Sequence, residues 1–167
     1  ILPQQGHNLS LGYFQNFKDN SWETSLELFG RYIDQLADYK NFAELTINDH
    51  LETELLRGTG RAYGLELSLK KRKGVFNGWL SYTLSRSERE VPGINQDRWY
   101  PSDIDKLHDL SIVTNLQFNQ RISLSFNFNY NTGRPTTPPT GRFIGPRGET
   151  FPVYGARNQA RIPDYHR

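Results

Sequence analysis

Asp103, Asp105, His108 and Asp109 form the densest group of potential metal ligands in the chain. Carboxylates and imidazole are the donors that divalent cations take, so metal binding is the first chemistry to weigh. The spacing speaks against it. His108 and Asp109 are adjacent at the start of a strand and point to opposite faces, while Asp103 and Asp105 lie in a loop after Pro101 where nothing fixes ligand geometry. Carboxylates that cap turns account for the same residues, and no metal site is assigned. Glu52 and Glu54 in LETELL could act as an acid–base pair, or form the solvated face of a loop. With AELTI before them they suggest a hairpin continuing a sheet. Arg98, Trp99 and Tyr100 could stack on a ligand, since loops on a rigid scaffold commonly carry binding; the alternative is an interfacial anchor. Arg134, Arg142, Arg147, Arg157 and Arg161 make the last long segment basic. Arginine pairs bidentately with anionic ligands, and phosphate groups at a membrane surface suit it equally. Arg98, Trp99, Tyr100, Arg134 and Arg142 are therefore the ligand-contact candidates. No G-x-S-x-G, H-E-x-x-H or phosphate-binding loop occurs in the sequence, and Gly64 in RAYGLEL reads as a strand position. No catalytic residue and no cofactor is assigned, and the chain is not read as an enzyme.

The element that positions these residues is clearest in RISLSFNFNY, Arg121–Tyr130. Ile122, Leu124, Phe126, Phe128 and Tyr130 fall on one parity, and Ser123, Ser125, Asn127 and Asn129 on the other. Alternation of this kind is a strand with one apolar and one small polar face, and a helix would scatter it. The same pattern predicts strands at His7–Gln15, Trp22–Tyr32, Tyr63–Lys70, Val75–Ser85 and His108–Phe118. Short turns at Asn16–Asn20, Lys71–Gly74 and Asn119–Gln120 alternate with long connections, the third of which is rich in Pro and Gly. Such a rhythm predicts an antiparallel meander with one tight rim and one elaborate rim, Pro101 and Pro135 sharing the elaborate one and Lys18 lying opposite. All nine prolines fall outside the six predicted strands, so their ladders are uninterrupted.

The apolar parity carries no Asp, Glu, Lys or Arg within those strands; Glu23, Glu27, Arg31, Glu66, Lys70 and Asp109 sit on the other. Aromatic side chains gather at the two ends of the apolar face: Tyr13, Trp22, Phe76 and Phe118 beside the short turns, Tyr32, Tyr63, Tyr82 and Tyr130 towards the long loops. Interfacial girdles have this form, and nine tilted residues span roughly 21 Å, close to the apolar band of about 25 Å in outer-membrane barrels. Leu26, Leu28, Leu67, Leu80, Leu116, Leu124 and Phe126 are accordingly expected to face lipid. The fold class expected is all-β: an antiparallel up-and-down transmembrane β-barrel, present in part as about six strands of a larger one. A soluble β-sandwich binding carbohydrate through Trp22, Trp79 and Trp99 is the competing reading, and an outer-membrane hydrolase barrel the weakest.

Composition is compatible with the barrel. Of the 167 residues 35% are hydrophobic and 13% aromatic, and mean hydropathy is −0.72. No run of eighteen apolar residues exists, which excludes a transmembrane helix but not spanning strands. A net charge of +2 is too mild to imply nucleic acid. There is no Cys, hence no disulfide framework, and no Met. Ile1 is read as a processing site or the start of a piece, and the whole 1–167 as part of a single barrel domain of a longer chain. The edges at the first and sixth strands are expected to be open.

Four segments also resemble a known family. RAYGLELSLKKRKGVFNGWLSYTLSRS (Arg61–Ser87), WYPSDIDKLHDLSI (Trp99–Ile112), TGRPTTPP (Thr132–Pro139) and RNQARIPDYHR (Arg157–Arg167), in that order, are similar to the later strands of TonB-dependent outer-membrane receptors. The resemblance implies a barrel of about 22 strands plugged by an N-terminal domain. It implies energy-coupled uptake of a scarce ligand (an iron chelate, cobalamin, glycan or peptide) across the outer membrane of a Gram-negative bacterium. The partners it implies are outer-membrane lipid, a TonB-type energising protein acting through a plug region, and a surface lipoprotein or other outer-membrane complex. Neither the plug nor the closing strands are among these residues.

Overall fold

The structure is a computed structural model and describes residues 3–167, so Ile1 lies outside the described residues. Its main sheet is an antiparallel meander of β1 (Gln5–Phe17), β2 (Trp22–Tyr39), β3 (Leu55–Lys71), β4 (Phe76–Glu90), β6 (His108–Gln117) and β7 (Ser123–Asn131), with the short β5 (Tyr100–Pro101) beside β4. Each strand pairs with its predecessor, which puts the short turns and Lys18 at one rim and Pro101 and Pro135 at the other. The first turn takes Lys18, Asp19 and Asn20 through positive φ, a conformation Asn and Asp tolerate best among non-glycine residues. Asn119 closes the third turn by accepting hydrogen bonds from the backbone N–H of Arg121 and Ile122.

Pairing carries the predicted alternation across the sheet. Tyr13, Leu26, Leu67, Tyr82, Leu110 and Tyr130 form one continuous cross-strand row. Leu11, Leu28, Leu65, Leu84 and His108 form the next row towards the long loops. The opposite face holds Ser25, Ser68 and Ser81 in register, and Glu27 opposite Glu66. Gly64 lies within β3, where an added Cβ would approach the Phe29 ring at 2.8 Å, so this strand position leaves room for an aromatic cover.

Several expectations are corrected. β2, β3 and β4 run past the predicted ends at Tyr32, Tyr63 and Ser85, lifting the sheet beyond its apolar band. The extension brings Arg61, Arg86 and Glu88 onto the formerly uncharged face, because beyond the band nothing selects for apolar side chains there. No strand forms at AELTI, and Leu51–Glu54 is a single 3-10 turn (η1). The sheet continues instead by pairing Tyr39 with Leu55. A bulge at Asp34–Gln35, with Gln35 at φ 57°, shifts the register between Ile33 and Leu36. It turns Leu36 and Asp38 to the face opposite the apolar one.

The third long connection is not wholly irregular. Pro135–Thr136 (β8) pairs with Ala160–Arg161 (β11), and Pro139–Ile144 (β9) with Thr150–Tyr154 (β10). Prolines are tolerated in these two-stranded pieces because each strand is an edge. Nor is the sixth predicted strand fully open. Tyr165–His166 (β12) pairs with Asn131 and Tyr130, and Arg167 exchanges two backbone hydrogen bonds with Asn129. Beyond Asn129 that edge has no partner among the described residues, nor does the outer edge of β1.

Among the described residues, buried hydrophobic ones are confined to the long-loop rim. Val91, Ile94 and Tyr100 pack together with Leu56 against them. The strands themselves have no covered core: Leu9 is 80% exposed, and Leu28, Leu124 and Phe126 are 50–57% exposed.

Candidate functional site

Asp38, turned to the face opposite the apolar one by the bulge in β2, is the hub of the long-loop rim. Its carboxylate accepts hydrogen bonds from Arg89 at 3.2 Å and from the Tyr100 hydroxyl at 3.1 Å, and it pairs with Arg157 at 3.3 Å. Arg157 also donates to the Tyr39 carbonyl and to Asn41, and its backbone N–H donates to Asn95, whose amide in turn donates to the Arg157 carbonyl. Asn158 donates to the Pro101 carbonyl and to Asp103. Three long connections are thereby tied to one carboxylate. Burial and the neighbouring Asp38 carboxylate push the Tyr100 hydroxyl up to about 12, so it stays a donor across the physiological range.

Beside this hub opens a cleft of about 620 Å³, lined by Asn41, Asn95, Arg98, Trp99, Tyr100 and Arg157, among others. Its walls are amides, a guanidinium and aromatic edges, a set that can hydrogen-bond and stack on a polar ligand. Arg98 is exposed at its mouth. One face of the Trp99 ring is covered by the Arg61 guanidinium at 4.1 Å. Tyr100 is buried and holds Asp38 rather than facing open solvent. The candidates Arg98, Trp99 and Tyr100 thus meet in one place.

Arg134 and Arg142 are not brought to it. Arg134 is exposed where the third long connection begins, its carbonyl accepting from Ile162, and Arg142 lies on β9 opposite Pro152. Arg161 is used elsewhere: it binds the buried Asp105 carboxylate and the carbonyl of Gly133.

The aspartate and histidine group disperses. Asp105 accepts from the Ser87 backbone and Arg161, Asp109 pairs with Lys106 at 3.1 Å, and His108 meets the Tyr82 hydroxyl at 2.8 Å on the apolar face. Among the described residues no three potential ligands converge. Glu52 and Glu54 also diverge: Glu54 is buried against Lys40 at 2.7 Å, while Glu52 is exposed. The hydrogen bond from Lys40 holds the Glu54 carboxyl below its ordinary range.

Asp38, Arg89, Asn95 and Asn158 escaped the sequence reading. The only cue to Asp38 was the broken alternation of YIDQLADY, where the bulge falls.

No protein-family model matches the chain, and no curated protein matches it. In structure it is similar to the ferripyoverdine receptor of the outer membrane of Pseudomonas aeruginosa, solved bound to ferripyoverdine, with a TM-score of 0.64 and 14% identity over 98% of this chain. The chain spans 20% of the length of that receptor. Its fold is therefore all-β and antiparallel, an unclosed part of a β-barrel wall.

Proposed function

We propose that this chain is a stretch of barrel wall, with its outer loops, of a TonB-dependent transporter in the outer membrane of a Gram-negative bacterium. The observation that carries the reading is the uncovered apolar face. Leu26, Leu28, Leu67, Leu80, Leu116, Leu124 and Phe126 share it, exposed or half-buried, with no second protein layer over them among the described residues. In water such a surface would far exceed the apolar patch a soluble monomer carries, whereas in lipid it is simply solvated. A soluble sandwich would need a second sheet there.

The cross-strand row of aromatic ends fits the same reading. Tyr13 and Tyr130 sit five strands apart in one row. At a tilt of about 45°, five steps of about 4.8 Å climb about 17 Å along the membrane normal. One row then serves the girdles at both interfaces. At the short-turn end, Lys71 lies over the Trp22 ring at 4.8 Å, an amphipathic pair suited to that boundary.

In this role the cleft beside Asp38 faces the outside and contributes ligand contacts through Arg98 and Trp99, with Arg134 and Arg142 supplying positive charge around the rim. The transported ligand is a scarce one, an iron chelate, cobalamin, glycan or peptide, and the ferripyoverdine bound by the structural relative favours an iron chelate. Energy would come from a TonB-type protein through a plug segment, and a surface lipoprotein could join at the loops.

Thiol labelling of the full-length protein in intact cells tests the orientation, since these residues contain no Cys. A membrane-impermeant maleimide should label Gln96→Cys and leave Lys73→Cys untouched until the outer membrane is opened. Absence from the outer-membrane fraction, or the reverse labelling pattern, overturns the reading.

A further inference from the structure

On the apolar face, Gly30 leaves a notch in the row Leu9, Gly30, Tyr63, Arg86. A Cβ built at Gly30 would have no heavy atom within 4 Å. Around it lies a groove of about 530 Å³ whose walls are Leu9, Leu11, Leu28, Tyr63, Leu65 and Leu84, with Arg86 at one end. The next row towards the long loops is His7, Tyr32, Arg61 and Glu88. There Glu88, whose side chain is 9% exposed, accepts from Arg61 at 2.7 Å and from Arg86 at 2.9 Å. Two guanidiniums sharing one carboxylate leave a net positive charge, and both remain accessible, at 41% and 38% exposure.

An aliphatic slot ending in excess guanidinium charge, open to the side, has the chemistry of an anionic amphiphile. We propose that this groove is an ordered binding site for a phosphate-bearing membrane lipid, one acyl chain lying in the notch at Gly30 and the phosphate resting on Arg61 and Arg86. The site rests on the membrane reading above. Bulk lipid would wet the face anywhere; what singles out this position is that the missing side chain shares its row with Arg86 and lies one row from Arg61 and Glu88. Arginine suits the phosphate because its planar fork binds two oxygens at once. Glu88 holds the two forks at a fixed spacing and does not cancel them.

The test uses the full-length protein extracted from outer membranes, stripped of lipid in detergent, and offered dimyristoyl phosphatidic acid or dimyristoyl phosphatidylcholine. Retained lipid is counted by native mass spectrometry. The wild type should hold one phosphatidic acid under activation that removes phosphatidylcholine. Gly30→Leu fills the notch without backbone strain. The triple change Arg61→Gln, Arg86→Gln, Glu88→Gln removes the charge without leaving an orphaned carboxylate. Each should lower retention about tenfold, the scale of losing one charge-assisted or well-packed contact.

Inorganic phosphate at millimolar level should compete poorly, because it lacks the chain; efficient competition would mean a bare anion site and overturn the lipid assignment. Equal retention of both lipids, or unchanged retention in the triple variant, also overturns it. These failures are distinct from failure of the membrane reading, which would appear earlier as a protein absent from outer membranes.

Discussion

Leu67→Arg probes the depth of the apolar face directly. On β3 the outward residues Tyr63, Leu65, Leu67 and Leu69 are bounded by Arg61 at one end and Lys71 at the other. About ten residues separate those two charges, and at about 3.3 Å per residue and a tilt of about 45° they span about 23 Å, nearly the whole apolar band. In the proposed membrane setting the centre falls at Glu66, which would put Leu67 about 2 Å from the bilayer midplane and Leu69 about 7 Å from it. An arginine at Leu67 should then cost about 3 kcal/mol and one at Leu69 about 1–2 kcal/mol. Ser68→Arg is the control, because Ser68 faces the other side between Ser25 and Ser81 and in the proposed setting would meet no lipid. The assay is urea-dependent folding of the full-length protein into phosphatidylcholine vesicles, followed by tryptophan fluorescence. A Leu67→Arg protein as stable as Ser68→Arg, or more stable than Leu69→Arg, would refute the assignment of faces.

Arg157→Ala should release the rim while leaving the sheet intact, at a cost of about 1–3 kcal/mol for the lost charged hydrogen bonds. Amide exchange should then accelerate at Tyr39–Asn41 and Val91–Asp97 and stay unchanged in β6 and β7. Tyr100→Phe removes the hydroxyl that donates to Asp38 and should cost about 1–2 kcal/mol. Because the folded rim keeps Tyr100 neutral to about pH 12, its contribution is full below the ordinary tyrosine value near 10 and fades between about pH 10 and 12. The Phe variant should lack that alkaline loss. At Glu88, burial pushes the carboxyl up, but hydrogen bonds from Arg61 and Arg86 outweigh it and hold the value below the ordinary one. Its contribution is therefore present above the ordinary carboxyl range and lost as pH falls through the lowered value, and Glu88→Gln should flatten the acid side of a stability profile.

The barrel wall was legible because one physical rule governs every position in it. A sheet with different solvents on its two faces must alternate, and pairing keeps residues of like kind in rows. Hence Leu26, Leu67 and Leu80 are assigned to one face by sequence alone. In the proposed membrane setting the rule stops where lipid stops. Above Tyr32 and Tyr63 both faces of the sheet would then meet water or loops, so alternation no longer marks the strands there and cannot locate their ends. β2 runs seven residues and β3 eight residues further than their alternation implies. Arg61 and Glu88 are the other side of the same boundary: their charges sit on the apolar parity because the band has ended.

The rim was less legible for a different reason. Its order depends on partners far apart in sequence, Asp38 with Tyr100 and Arg157, and Asn95 with Arg157, which no local spacing records. The basic character of the last long segment was visible, yet its arginines do separate work. Arg157 closes the hub and Arg161 satisfies buried Asp105, while Arg134 and Arg142 stay on the exposed surface. Charge counted along a segment therefore overstated the charge free to meet a ligand. Of the cationic side chains lining the cleft, Arg157 spends its guanidinium on Asp38, Tyr39 and Asn41, and Arg98 has no ion pair among the described residues. A ligand that needs a free guanidinium in this cleft must look to Arg98. Arg98→Ala should then weaken binding with the loops still in place, whereas Arg157→Ala should weaken it only by loosening them.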